Sequence, residues 1–264
     1  MELELSLILL LACVALAAGF LDAIAGGGGL VTLPALLVAG LDPLAAIATN
    51  KVQSSCASVS ATVSFARKGM IEWRSGLPMA ALSFLAGGTG ALAAGMLPRG
   101  ALEQIIPVLL VMVAVYFAWA RTPDKEARKA RMPPLAFALL IVPAIGFYDG
   151  IFGPGTGSFF LVAFVMLMGQ GLLSAMSSSK LMNAACNLGS LWVFSLTGTI
   201  LWPLALAMAA GAFIGAHLGA RCAIRFGPRL IKPLLITVCL VMAMKLMVGV
   251  PSGPSPSPPA DITS

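Results

Sequence analysis

The sequence predicts an all-α polytopic membrane protein built from two homologous halves. Composition, recurrent apolar runs and an internal repeat predict it. Of the 264 residues, 59% are hydrophobic and 10% charged, whereas soluble domains carry about 25% charged residues. The mean hydropathy of +0.99 makes the bilayer the expected solvent. Apolar runs of about 20 residues, enough to cross a hydrocarbon core, recur along the chain. Finally, two Gly-rich segments half a chain apart repeat each other.

The elements follow in order. The first span runs from Leu5 to Ala25. Glu2 and Glu4 precede it where a cleavable signal peptide would carry Lys or Arg, so this stretch is expected to stay in the protein. Residues 26–66 open on four glycines, continue as a short apolar run, break at Gly40 and end in a long helix with polar residues. Asp42-Pro43 reads as the start of that helix, with Asp as cap and Pro in the first turn. Spans follow at 77–97 and 101–120, then a basic linker at 121–134 and a span at 135–152. Residues 153–196 form a second Gly-broken segment of the first one's design. Spans at 204–224 and 230–250 complete about eight transmembrane helices. The tail 251–264, PSGPSPSPPADITS, is Pro/Ser-rich and expected to be disordered.

The two broken segments are copies. Asp22 precedes Gly26–Gly29 as Asp149 precedes Gly153-Pro154-Gly155-Thr156-Gly157, at an offset of 127. Thr49-Asn50-Lys51 matches Ser178-Ser179-Lys180. Phe65, Gly69, Ile71 and Trp73 recur as Phe194, Gly198, Ile200 and Trp202 at an offset of 129. This duplication divides the chain into a first repeat (1–120), a linker (121–134) and a second repeat (135–250).

Positive charge addresses the relative orientation of the halves. Loop 66–76 holds Arg67, Lys68 and Arg74, whereas its copy at 195–203 holds none. Loop 98–100 holds only Arg99, whereas its copy holds Arg221, Arg225, Arg229 and Lys232. Cytoplasmic loops carry the excess of Lys and Arg. The swapped bias favours inverted repeats, with loops 66–76, 121–134 and 221–229 cytoplasmic and both termini outside. A parallel repeat of four helices each is the competing arrangement, and whether each broken segment crosses fully or re-enters stays open.

The same charge pattern accounts for the net charge of +6. There is no continuous basic face, so nucleic acid is not an expected partner. Cys13, Cys56, Cys186, Cys222 and Cys239 lie in or beside apolar runs and form no CxxC pair; they read as packing residues, and no metal or other cofactor is implied. The lone His217, in a Gly/Ala-rich stretch, also reads as packing. No HExxH, GxSxG or P-loop string occurs, so no enzyme is expected.

Three sets of residues carry candidate chemistry. Gly26, Gly27, Gly28, Gly29, Gly153, Gly155 and Gly157 permit broken helices whose free N–H groups make an anion site; close helix packing is the alternative. Lys51 and Lys180 each lie eight residues into a helix, about 12 Å along its axis. A buried ammonium is expensive and marks a site or pairs with a buried acid. Thr49, Asn50, Gln53 and Ser54 around Lys51, and Ser177, Ser178, Ser179, Asn183 and Asn187 around Lys180, offer hydrogen bonds to anion oxygens, or to neighbouring helices. Asp22 and Asp149 suit helix capping, pairing with the lysine of their own half, balancing its charge, or carrying a coupling proton.

The run LDAIAGGGGLVTLPALLVAGLDPLAAIATNKVQSS, with GFYDGIFGPGTGSFF and SKLMNAACNLGSL, resembles the two signatures of the TauE/SafE sulfite-exporter family. The resemblance extends over residues 5–250. It implies a secondary transporter of the cytoplasmic membrane that moves small sulfur-containing or organic anions such as sulfite or sulfonates, with protons as coupling ion in some members. Pro154 and Thr156 depart from the more Gly-rich second signature of many members. A membrane subunit or assembly factor that transports nothing is the other reading. The expected partners are a small anion, the lipid bilayer, protons and a second copy of the chain.

Overall fold

A computed structural model of the chain describes residues 4–119 and 127–226. The expected span at 230–250, the tail 251–264, and Arg121, Lys125, Arg229, Lys232 and Cys239 lie outside the described residues.

The described residues form nine helices and no strand: α1 (Leu5–Ala25), α2 (Gly29–Val38), α3 (Pro43–Ala66), α4 (Trp73–Met96), α5 (Arg99–Trp119), α6 (Pro134–Ile151), α7 (Thr156–Met166), α8 (Leu172–Thr197) and α9 (Trp202–Phe226). α1 has the bounds expected from its apolar run. α3 begins where Asp42-Pro43 placed it: the Asp42 carboxylate accepts the Leu44 N–H at 3.1 Å, and Pro43 occupies the first turn, where its missing N–H costs nothing. Near its start, α6 widens into a π turn over Phe137–Ile141, where the Val142 N–H reaches back to the Phe137 carbonyl. The turn sits just before Pro143, which has no N–H to continue the regular ladder.

Four helices, α1, α4, α6 and α9, are long and apolar enough to cross a membrane, and α2 and α7 are short apolar helices. The outward faces of α1, α4 and α9 carry exposed Leu9, Leu10, Leu85, Leu92, Phe213 and Ile214. α3 and α8 are more polar, and most of their polar residues are buried because these two helices pack together at the centre.

Contacts between elements follow the duplication reciprocally. α1 packs on α9 as α6 packs on α4, and α4 packs on α8 as α9 packs on α3. Matched residues make the matching contacts. Gly90 presses its backbone on the Phe147 carbonyl, where an added Cβ would lie 2.2 Å away. At the corresponding positions, Gly219 presses on the Phe20 carbonyl, with 2.3 Å for an added Cβ. No residue larger than glycine permits either approach, so these helices are held by close backbone packing rather than interlocking side chains. His217 is half-buried at the α9–α3 contact, its Nδ1 3.2 Å from Ser64 Oγ.

Candidate functional site

The sequence places a chain break at the end of α1 and another at the end of α6, and the fold brings the two breaks together. Gly26 leaves α1 in the left-handed region at φ 82°, with Gly153 and Gly155 at φ 96° and 82° after α6. Gly26 lies against Gly157 so closely that an added Cβ would meet the Gly157 carbonyl carbon at 2.3 Å, and Gly29 faces Pro154. Ser158 Oγ donates to the Ala25 carbonyl across this contact.

The lysines hold the breaks from the other half. Lys51 donates to Asp149 Oδ2 at 2.8 Å and to the Asp149 backbone carbonyl, with Asn187 Oδ1 at 3.5 Å. Lys180 donates to Asp22 Oδ2 at 3.0 Å and to the Asp22 backbone carbonyl. Each ammonium thus caps the C-terminal end of a broken helix, where unpaired carbonyls and the helix dipole favour positive charge. Lys51 and Asp149 are 0% and 1% exposed. Four buried charges cancel in two pairs, the arrangement that makes their removal from water tolerable. The pairing corrects the alternative in which each lysine pairs with the aspartate of its own half: both pairs run between halves.

A small cavity lies between the breaks. It is lined by Asp22, Gly26, Gly29, Asn50, Ser54, Asp149, Gly153, Gly157, Asn183 and Asn187 and has a volume of about 10 Å³, room for one water-sized centre. The N-terminal ends of α2 and α7 reach this wall, and among the described residues no hydrogen bond takes up the Gly29 or Gly157 amide. Asn50 uses its Oδ1 to accept from Thr32 and Gln53. Asn183 uses its Oδ1 to accept from Asn187. The Nδ2 groups of Asn50 and Asn183 have no partner among the described residues. The Asp22 carboxylate is already engaged by Lys180 and by the Gly28 N–H at 3.1 Å. What the cavity wall holds in reserve is mostly N–H donors, converging from two helix starts and two carboxamides.

The family model described as "Sulfite exporter TauE/SafE" matches residues 11–246, nearly the whole chain. The chain belongs to this family. Its curated relatives include a "probable membrane transporter protein ORF9" of a Sinorhizobium species, 44% identical over 93% of this chain and 94% of the relative. Another is the "probable membrane transporter protein YfcA" of Escherichia coli K12, 42% identical over 89% of this chain and 87% of the relative. A "probable membrane transporter protein" of Haemophilus influenzae is 38% identical over 94% and 97%. No solved structure matches the chain. A TauE/SafE chain with four span-length apolar helices is a membrane protein of a transporter family.

Of the residues singled out in the sequence, this TauE/SafE fold brings Asp22, Gly26, Gly29, Asn50, Asp149, Gly153, Gly157, Asn183 and Asn187 to the cavity. Lys51 and Lys180 stand just behind its glycines, their Nζ atoms 3.2 Å and 3.3 Å from where Cβ atoms on Gly153 and Gly157 would be. The fold does not bring Thr49 there. Its hydroxyl instead accepts the Leu201 N–H at 3.2 Å, because adjacent helical positions point about 100° apart. Ser179 donates to the Gly157 carbonyl and steadies the second break. Gly28 packs on Asp22, Gly27 is not among the lining residues, and Gly155 caps α7. Ser54, one of the polar residues around Lys51, lines the cavity one helical turn after Asn50. The sequence reading missed Thr32, which bonds to Asn50. Tyr148 was missed too; it buttresses the second break with a 2.7 Å hydrogen bond to the Pro154 carbonyl.

Proposed function

We propose that the protein is a secondary transporter of small anions, sulfur oxyanions and sulfonates being the leading class, in the cytoplasmic membrane. The observation that carries this reading is the set of unspent N–H donors, from Gly29, Gly157, Asn50 and Asn183, around one cavity between two broken helices. Helix starts and neutral donors hold an anion without adding net charge to a membrane interior. The two lysines contribute their field from behind the glycines while remaining paired to the opposite aspartates. The cavity has room for one water-sized centre, so loading an anion requires the breaks to part.

In this reading the chain is multi-pass, with residues 1–120 and 135–250 as inverted repeats on either side of the linker. Reciprocal contacts such as Gly90–Phe147 and Gly219–Phe20 support two halves related by a two-fold axis, and the swapped loop charges support their inversion. Asp22 and Asp149 are the proposed proton carriers. Protonating either one frees a lysine, which ties proton uptake to the charge available for the anion. Protons are thus the proposed coupling ion, and a homo-oligomer the proposed assembly.

The test is purified protein in detergent, assayed by thermal shift against sulfite, short sulfonates, carboxylates and, as controls, sodium and potassium chloride. Selective stabilisation by one anion class, followed by its uptake or efflux in proteoliposomes, is the expected result. Equal response to every salt, with no flux, overturns the reading.

A further inference from the structure

We infer that Gln53, seated on Thr32, is a positioning residue that turns the Asn50 carboxamide so that its N–H₂ end faces the cavity. The inference rests on the anion-site reading above and deepens it. A carboxamide has an acceptor at one end and donors at the other, in nearly the same shape. Which end faces the cavity decides whether Asn50 attracts an anion or repels it.

Three side chains fix the choice. Gln53 Nε2 lies 2.7 Å from Asn50 Oδ1, 3.0 Å from Thr32 Oγ1 and 3.1 Å from Ser54 Oγ. The Thr32 hydroxyl also reaches Asn50 Oδ1 and lies 3.2 Å from the Gly28 carbonyl. Two donors therefore converge on Asn50 Oδ1 from the side away from the cavity. Turning the amide around would put its N–H₂ against the Gln53 N–H₂, whereas the Thr32 hydroxyl can donate or accept. Asn50 Nδ2 is thereby left on the cavity side, 3.7 Å from where a Cβ on Gly29 would be. All three residues are buried, with Thr32 at 0%, Asn50 at 1% and Gln53 at 2% exposure, so no bulk water competes for these groups. Thr32 belongs to α2, Asn50 and Gln53 to α3. The network therefore also ties the start of the short broken helix to the helix that carries Asn50.

Neither Thr32 nor Gln53 lines the cavity. Thr32 reaches the wall through Asn50, and Gln53 through Asn50 and the Ser54 hydroxyl, so coupling to Asn50 in a double-mutant cycle separates the positioning role from a structural one. The experiment is a double-mutant cycle on the full chain in detergent, read by calorimetry with sodium sulfite and with sodium acetate, and by melting temperature. Asn50→Leu should weaken binding of whichever anion the parent takes by about 10- to 100-fold. Gln53→Met, which keeps length but removes both polar ends, should weaken it by about tenfold. Gln53→Met added to Asn50→Leu should weaken it no further, although its effect on melting temperature persists. Thr32→Val supplies a second arm with the same expected pattern, and Thr32→Ser should restore binding. If Gln53→Met and Thr32→Val leave parental affinity intact, or weaken it equally with and without Asn50, the positioning role is wrong while the anion site stands. A parent that binds neither anion, and that no short sulfonate or carboxylate stabilises in the thermal-shift panel, overturns both readings.

Discussion

Lys51 on α3 reaches across to Asp149 at the end of α6, and Lys180 on α8 reaches back to Asp22 at the end of α1. Each lysine thus holds the broken helix of the other half. The two halves are stapled through their most costly side chains, at the point where a transporter of this design has to move. The first prediction follows. Lys51→Met should destabilise the protein by about 3–5 kcal/mol, because it leaves the Asp149 carboxylate buried and unpaired. Lys51→Met with Asp149→Asn should recover most of that loss. Lys51→Met with Asp22→Asn should not, because it breaks the second pair as well. Melting curves in detergent decide it, and rescue by Asp22→Asn instead of Asp149→Asn would refute the crossed pairing.

The second prediction concerns the contact between the breaks. Gly26→Ala puts a methyl group into the Gly157 backbone and demands a left-handed conformation of alanine. It should lower the melting temperature strongly and shrink the monodisperse peak in size-exclusion chromatography. Gly100→Ala, at a position with nothing within 4 Å, should change neither measurement. Comparable behaviour of the two variants would mean that the breaks do not touch.

The third prediction separates the two carboxamides on α8. Asn183→Leu removes an unspent donor from the cavity and should weaken anion binding by about 10- to 100-fold in calorimetry. Asn187→Leu removes an amide whose N–H₂ already bonds to Asn183, and whose oxygen faces Lys51. Its main effect should be on melting temperature. Equal losses of affinity from both changes, with stability intact, would contradict this division.

How much of this was legible beforehand differs by level. The bounds of α1, the capped start of α3 at Asp42-Pro43 and the duplication were all local or periodic features, and sequence carries those directly. The π turn before Pro143 was not anticipated, because how a ladder adapts to a missing N–H depends on what packs beside it. Lys51 and Lys180 stood out as buried charges, but their partners did not. Own-half pairing and crossed pairing present the same residues in the same order, and only the packing of α3 against α8 selects one. Thr49 was grouped with Asn50 because they are neighbours in the chain, yet helical phase sends them to different faces. Thr32 lies in an apolar run and gave no signal at all. Its importance comes from a contact with Asn50, 18 residues away.

The last prediction concerns the inversion of the repeats. Lys68 and Thr197 lie at corresponding places in the two halves, at the offset of 129, and both are exposed. A parallel repeat places them on the same side of the membrane, and an inverted repeat places them on opposite sides. The charge difference between their loops, Arg67, Lys68 and Arg74 against no basic residue at 195–203, predicts Lys68 on the cytoplasmic side. With the five native cysteines replaced by alanine, Lys68→Cys should be labelled by a membrane-impermeant maleimide only in inverted vesicles. Thr197→Cys should be labelled only in intact cells or spheroplasts. Replacing Lys68 itself removes one of the charges that orient the loop, so Gly69→Cys and Gly198→Cys form a second pair that leaves every charge in place. These two glycines also correspond at the offset of 129 and have no atom within 4 Å of an added Cβ; both are left-handed, at φ 67° and 70°, so each cysteine variant is first matched to the parent in size-exclusion chromatography. Labelling of both members of a pair from the same side would establish parallel halves. The reciprocal packing of α4 on α8 and α9 on α3 would then have to arise from an axis along the membrane normal rather than within its plane.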